Sequence, residues 1–214
     1  MEEIKQIILK KGGKYMNNEI YLHYNSYKTL PHLNFDTTCY IRSQISYPSF
    51  RTKYPCFIEI QVNKTKIYLH SNGISHKSIS DYIIKLTLII EQLNNFQTYI
   101  KNNIDNEVIN LNYREECSLY NKHIVKKYNL NMLPFTSSIV CYIGVDKGQN
   151  QQYKQCFIEF ADCMAKIKIS AISIDKQSLL NFIQKIILLT DEFEKFKIYL
   201  IENITKIGGT IIDL

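Results

Sequence analysis

The tetrapeptide CFIE occurs at residues 56–59 and again at residues 156–159, one hundred positions later. Aligned without a gap, residues 56–104 and 156–204 are identical at fifteen of forty-nine positions. An internal repeat of this kind means that the same structural unit is built twice. The repeat of about 100 residues is therefore the strongest constraint on the fold of this chain.

A second match lies upstream of the tetrapeptide. The tripeptide CYI, which begins at Cys39, recurs at Cys141, so that the offset between the copies drifts to 102 residues. Small insertions in loops account for such a drift. On this alignment the tyrosines of the two tripeptides correspond to each other, and Gly144 replaces Arg42.

Hydrophobic patterning predicts four strands in each copy. The cysteine and isoleucine of the tetrapeptide fall on one side of the third strand, whereas Phe57 and Glu59 fall on the other side. The predicted strands span about residues 18–26, 37–46, 55–62 and 65–70 in the first copy and about residues 115–126, 137–146, 155–162 and 165–170 in the second.

A long helix is predicted to close each copy. Apolar residues recur with i, i+3, i+4 and i+7 spacing over residues 79–100 and 179–200. Ser78 and Ser178 are placed as N-caps at the start of these runs. A helix of roughly 25 residues is about 38 Å long, which is enough to cross a whole four-stranded sheet.

The predicted fold is α+β: a tandem duplication of a ββββα unit with pseudo-two-fold symmetry, in which two antiparallel sheets are each covered by a long C-terminal helix. Residues 1–104 form the first unit with an N-terminal extension, residues 105–117 form a connector, and residues 118–214 form the second unit with a short C-terminal tail. The connector contains neither proline nor glycine, so we expect tightly associated halves.

The net charge of +6 has two possible origins. A basic protein can bind a polyanion. However, only Arg42, Arg51 and Arg114 are arginines, and arginine is the better residue for paired contacts with phosphate. The abundance of Lys, Asn, Ile and Tyr is also typical of A/T-rich coding sequence, so the charge alone is weak support for a nucleic-acid partner.

No metal, cofactor or catalytic motif is recognisable. The six cysteines form no C-x-x-C pair and the five histidines show no ligand-like spacing to them. Cys39, Cys56, Cys141 and Cys156 fall in predicted strands, where we expect them to be buried and reduced. We therefore expect neither an enzyme nor a cofactor.

Membrane and secretory segments are also not predicted. No apolar run approaches the roughly 18–20 residues that a membrane span requires, and the N-terminus does not have the pattern of a secretory signal. We expect a soluble intracellular protein with no membrane partner, although the sequence does not distinguish cytoplasm, nucleus or organelle.

Alternation along the strands predicts which side chains point away from the helices. Aromatic and basic residues are interleaved on this side, a mixture that suits single-stranded nucleic acid because bases stack on rings while cations contact phosphates. The candidate binding residues are Tyr40, Arg42, Phe57, Lys66 and Tyr68 in the first copy and Tyr142, Phe157, Lys166 and Lys168 in the second.

Two functions from different classes are compatible with such faces. The sequence favours a non-catalytic binding or scaffold subunit of a larger intracellular assembly, which docks other protein subunits on its open sheet faces. The alternative is a single-stranded RNA- or DNA-binding protein. The order of elements resembles the duplicated or dimeric ββββα proteins of the Whirly, PUR and PC4 type, and this resemblance implies binding of single-stranded nucleic acid.

Glu59 and Glu159 distinguish the two functions. A carboxylate retained at the centre of each face repels a polyanion unless a cation neutralises it. If the faces are structural, we expect the two glutamates to lie in a seam between the copies. If the faces bind nucleic acid, we expect the glutamates to be paired with Lys66 and Lys166.

Overall fold

Two four-stranded antiparallel sheets, each followed in the chain by one long helix, form the framework of this protein in a computed structural model. The predicted α+β fold with a duplicated ββββα unit is therefore confirmed. The structure describes residues 22–30, 39–47, 56–71, 73–105, 112–118, 138–147, 152–161 and 165–207.

The strands of each sheet follow one another in chain order. Sheet 1 consists of β1 (Leu22–Thr29), β2 (Cys39–Tyr47), β3 (Cys56–Val62) and β4 (Thr65–His70), followed by helix α1 (His76–Asn103). Sheet 2 consists of β5 (Tyr113–Ser118), β6 (Ser138–Lys147), β7 (Gln152–Ala161) and β8 (Lys166–Ser170), followed by helix α2 (Lys176–Asn203) and a 3-10 turn (Ile204–Ile207).

The first strand of each copy has other bounds in the chain than the sequence predicts. Strand β1 extends to Thr29, and β5 begins at Tyr113, inside the segment 105–117 that the sequence assigned to the connector. Residues 18–21 and 119–126, which were included in these predicted strands, lie outside the described residues. Both strands carry few apolar side chains, so their patterning is weak.

The CYI match aligns the second strands incorrectly. Arg42 lies opposite Glu59 in the β2–β3 ladder, whereas Val140 lies opposite Glu159 in the β6–β7 ladder. Val140 is therefore the counterpart of Arg42, and the prediction that Gly144 replaces it is wrong. The error arises because a shift of four residues keeps every side chain on its side of the sheet, so alternation cannot detect it.

The helices begin one turn earlier than predicted. Ser75 and Asp175 are the N-caps, and their side chains accept hydrogen bonds from the backbone N–H groups of Ser78 and Ser178 at 3.1 and 2.8 Å. Ser78 and Ser178 therefore occupy the third helical position rather than the cap. Ser and Asp are both favoured N-cap residues, so Ser75 and Asp175 can cap the helices one turn upstream of the predicted positions.

Helix α1 contacts both sheets. Near its start, the Tyr82 hydroxyl donates a 2.6 Å hydrogen bond to the backbone oxygen of Leu69 in sheet 1. Near its end, the rings of Phe96 and Tyr99 lie 5.2 and 4.6 Å from the ring of Tyr113 in sheet 2. The second half of α1 therefore packs on the sheet of the other copy.

Helix α2 makes the reciprocal contacts. Lys185 Nζ donates to the backbone oxygen of Ser170 in sheet 2 at 3.5 Å. Farther along, the rings of Phe196 and Tyr199 lie 5.1 and 4.8 Å from the ring of Tyr24 in sheet 1. The two copies thus exchange the ends of their helices, which the sequence does not predict.

The two helices also pack against each other through symmetric aromatic pairs. Phe96 lies 6.1 Å from Phe182, and Phe196 lies 6.3 Å from Tyr82, edge to face in both cases. Each phenylalanine therefore touches the other copy's helix and one strand of the other copy's sheet. The inner faces of both sheets and both helices form one continuous core.

A polar contact accompanies each helix exchange. Gln92 Nε2 donates to Glu115 Oε1 at 2.6 Å, and at the equivalent place Ser26 Oγ donates to Glu192 Oε2 at 3.0 Å. Glu192 is only 1% exposed, and its second oxygen has no hydrogen-bond partner among the described residues. Burial raises the pKa of the Glu192 carboxyl above its ordinary value of 4.5, although the hydrogen bond from Ser26 and the charges of Lys28 and Lys195 oppose this shift.

Replacing either bridging phenylalanine should destabilise the whole molecule. We expect Phe96→Ala and Phe196→Ala each to lower the free energy of unfolding by about 3–5 kcal/mol, because each creates a cavity in the shared core. Urea unfolding followed by circular dichroism should show one transition in every variant. Ile198→Ala, at a side chain that is 49% exposed, is the control with little effect. Two separate transitions would contradict the shared core.

Glu192→Gln should stabilise the protein at neutral and alkaline pH. Because the folded-state pKa of Glu192 is raised, its contribution to stability is present below pH 4.5 and is lost as pH rises through the folded value. The amide removes this loss, and we expect a gain of roughly 1 kcal/mol at pH 8 in urea unfolding. Gln92→Glu is the matched control, because it places a carboxylate against Glu115 and should destabilise. An unchanged pH dependence in Glu192→Gln would refute this assignment.

Candidate functional site

Each sheet has one side that faces the core and one that faces away from it. In β3, Cys56, Ile58 and Ile60 are fully buried in the core, and the residues between them point outward. We call the outward side chains of sheet 1 the first face. The first face comprises His23, Asn25, Tyr27, Thr29, Tyr40, Arg42, Gln44, Phe57, Glu59, Gln61, Lys66, Tyr68 and His70.

A neutralised carboxylate occupies the centre of the first face. Glu59 accepts hydrogen bonds from the Tyr40 hydroxyl and from Lys66 Nζ, the latter at 2.8 Å. Burial alone would raise the pKa of the Glu59 carboxyl, but the bonds from Lys66 and Tyr40 hold it below 4.5. Within the described residues these partners all belong to sheet 1, so Glu59 does not lie in a seam between the copies.

Arg42 is turned toward two side-chain amides. Its Nε donates to Asn25 Oδ1 at 3.2 Å and its Nη2 donates to Gln44 Oε1 at 2.6 Å. Asn25 lies directly opposite Gln44 in the β1–β2 ladder. The guanidinium therefore links β1 to β2 and fixes the orientation of both amides.

Four aromatic rings surround these polar groups. Tyr27 and Tyr40 lie 4.9 Å apart, and Phe57 packs edge to face against Tyr68 at 5.6 Å. Lys66 Nζ lies 5.7 Å from the centre of the Tyr40 ring. Tyr27 is 57% exposed, so its ring is accessible to a partner.

The second face consists of the outward side chains of sheet 2. Its carboxylate Glu159 is also paired, with Lys166 Nζ at 3.2 Å, and Arg114 lies 3.6 Å from Glu116 at the edge. The second face comprises Arg114, Glu116, Ser138, Val140, Tyr142, Gly144, Gln155, Phe157, Glu159, Ala161, Lys166, Lys168 and Ser170.

The aromatic residues of the second face form a single cluster. The rings of Tyr142 and Phe157 lie 5.1 Å apart, and Lys168 Nζ lies 4.0 Å from the centre of the Phe157 ring. A Cβ atom at Gly144 would come within 2.9 Å of the Tyr142 hydroxyl, so the glycine leaves room for this ring.

The ladder registers show which positions the two faces share. Phe57, Glu59 and Lys66 are retained as Phe157, Glu159 and Lys166, and Tyr68 is replaced by Lys168, as the sequence predicts. Ser138, rather than Tyr142, occupies the position of Tyr40, so the pairing of the two CYI tyrosines is wrong. The counterparts of Asn25, Tyr27, Arg42 and Gln44 are Arg114, Glu116, Val140 and Tyr142.

The structure brings the predicted binding residues together in two groups. Tyr40, Arg42, Phe57, Lys66 and Tyr68 lie on the first face, and Tyr142, Phe157, Lys166 and Lys168 lie on the second.

Asn25 and Tyr27 are members of the first face that the sequence did not predict. Tyr27 lies beyond the predicted first strand, and Asn25 lies within it but next to few apolar residues, so that alternation assigns it to neither side.

Predictions from the sequence also concerned the cysteines and potential metal ligands. Cys39, Cys56, Cys141 and Cys156 are buried and unpaired, which confirms the prediction for these four. Burial raises the pKa of the Cys39 thiol to about 11. No group of three or more potential metal ligands occurs within the described ranges, and none of the helices described there is long and apolar enough to cross a membrane.

Comparison of the chain with models of protein families, with curated proteins and with solved structures found no match.

Replacing Lys66 should destabilise the protein more than replacing Lys166. Glu59 is more deeply buried than Glu159, with side-chain exposures of 6% and 17%. We expect Lys66→Ala to lower the free energy of unfolding by about 1–2 kcal/mol at pH 7, after allowing for the solvent around Lys66. Lys166→Ala should change it by less than about 0.5 kcal/mol.

The pH dependence of unfolding checks this assignment. Because the folded-state pKa of Glu59 is lowered, its contribution to stability is present above pH 4.5 and is lost as pH falls through the folded value. Lys66→Ala should therefore reduce the loss of stability in acid, measured by urea unfolding between pH 7 and 3. Equal pH profiles for wild type and Lys66→Ala would contradict the ion pair.

Proposed function

We propose that this protein is a non-catalytic binding protein whose first face binds single-stranded nucleic acid. The observation that carries the proposal is the pairing of Glu59 with Lys66 and Tyr40. The carboxylate that would otherwise repel a polyanion is held by a cation and a hydroxyl of its own sheet. The same pairing recurs between Glu159 and Lys166 on the second face.

The groups around this pair match the chemistry of a single strand. Stacking of a base on an aromatic ring contributes about 1–3 kcal/mol, and neighbouring Lys or Arg side chains attract the phosphates. On the first face, the exposed ring of Tyr27 and the ring of Tyr40 are adjacent to Arg42 and Lys66. The charge is modest, so stacking supplies much of the affinity.

A single strand fits this face better than a duplex. Base faces are accessible to a tyrosine ring only when the bases are not stacked within a double helix. Neighbouring strands lie only about 4.8 Å apart, so the four strands form a narrow platform on which a few nucleotides can lie flat.

Protein docking on the same faces is the second candidate. The observation that favours it is the balance of charge, because Lys66, Lys166 and Arg114 are already paired with carboxylates of their own faces. Mixed charges around aromatic side chains are typical of protein interfaces. In this case the chain is a scaffold subunit of a larger assembly.

Binding of fluorescent single-stranded DNA and RNA of about 20 nucleotides across a salt series tests the proposal. We expect affinity to fall with salt, because each phosphate contact contributes about 0.7 to the slope for a single strand. Tyr27→Ala should weaken binding by about tenfold, which is the loss of one stacked base. Ile198→Ala, on the exposed side of α2, is the control.

No binding of either nucleic acid at low salt by the folded protein would contradict the nucleic-acid function. Co-purification from the native cell would then identify a protein assembly. Equal binding of Tyr27→Ala and wild type would place the contact elsewhere on the molecule.

A further inference from the structure

The amides on the first face present hydrogen-bond donors. A guanidinium can only donate, so the oxygens of Asn25 and Gln44 must face Arg42. This fixes the orientation of both amides and directs their NH₂ groups away from Arg42. With the remaining N–H groups of the guanidinium, the three side chains form a cluster whose outward groups are donors.

This donor cluster lies beside the most exposed ring of the first face. Tyr27 is directly opposite Arg42 in the β1–β2 ladder, and Asn25 precedes Tyr27 by two residues on the same face. Tyr27 is 57% exposed, and Asn25 is exposed as well. A base that stacks on Tyr27 therefore has an edge within reach of the donor cluster.

We propose that Tyr27, Arg42, Asn25 and Gln44 form a recognition site for one keto base, namely guanine, thymine or uracil. This inference rests on the proposed single-strand binding. Keto bases present a carbonyl oxygen where adenine and cytosine present an amino group. A donor cluster satisfies the carbonyl but leaves an amino group facing other donors, and such an unpaired contact is costly.

The second face does not retain this site. Its residues at the four equivalent positions are Arg114, Glu116, Val140 and Tyr142, so both the exposed tyrosine and the orienting arginine are replaced. Lys166 and Lys168 remain there as cations, beside Glu159 and the Phe157 ring. Among the described residues of the two faces, the proposed base-selective site therefore belongs to the first face, and the second face contributes contacts that are independent of the base.

The test compares oligonucleotides whose bases carry a carbonyl oxygen in one strand and an amino group at the same ring position in the other. Wild-type protein is titrated with oligo-dT against oligo-dC, and with purine strands containing inosine against those containing adenine. Oligo-U against oligo-C repeats the comparison in RNA and distinguishes the two kinds of nucleic acid. We expect the keto strand of each pair to bind about tenfold more tightly, the discrimination that about 1.4 kcal/mol gives.

Substitutions on the first face test the residues assigned to the base site. Arg42→Val introduces the residue found at the equivalent position and should reduce the keto preference to about one, whereas Asn25→Ala and Gln44→Ala should each reduce it in part. Lys166→Ala is the matched control and should weaken all strands equally. Thermal unfolding shows whether each variant is folded. If Arg42→Val does not fold, Asn25→Ala and Gln44→Ala still test the assignment.

The outcomes separate the two proposals. Equal binding of keto and amino strands by wild type, or a preference for amino bases, overturns the base site and leaves single-strand binding intact. A keto preference that survives in Arg42→Val, Asn25→Ala and Gln44→Ala also overturns the assignment. No binding of any strand at low salt overturns both.

Discussion

Each helix is longer than its own sheet is wide, and the end of each helix is buried on the sheet of the other copy. Each helix has 28 residues, so it is about 42 Å long, whereas a four-stranded sheet is only about 15–20 Å wide. The apolar side of such a helix cannot be buried on one sheet. Phe96 and Phe196, in the last part of each helix, pack on the first strand of the other copy. Neither ββββα unit therefore has a complete core without the other.

This arrangement assigns different roles to the two sides of each sheet. The inner sides are occupied by both helices, and the outer sides display polar and aromatic residues. Duplication then allows the outer sides to diverge while the core is maintained. The carboxylate and its lysine are retained on both faces, as Glu59 with Lys66 and Glu159 with Lys166. The surrounding residues have changed, and Glu116 stands on the second face where the first has the accessible Tyr27.

Much of this fold follows from the sequence, because the repeat and strict periodicity identify the inner strands and the helices. The helix exchange does not follow, because periodicity shows which side of a helix is buried but not which sheet buries it. The register of β2 against β6 was missed because a four-residue shift preserves alternation. Nine binding-face residues were predicted on the correct side of the sheets, whereas Asn25 and Tyr27 were not, because β1 has few apolar side chains.

Mapping by nuclear magnetic resonance shows whether the outward side of sheet 1 is the binding surface that we propose. Isotope-labelled protein is titrated with a short single strand while backbone and side-chain amide signals are followed. We expect shifts concentrated on β1 and β2, including the side-chain amides of Asn25 and Gln44, with smaller changes on sheet 2. Shifts confined to the helices, or no shifts at saturating concentrations, would contradict it.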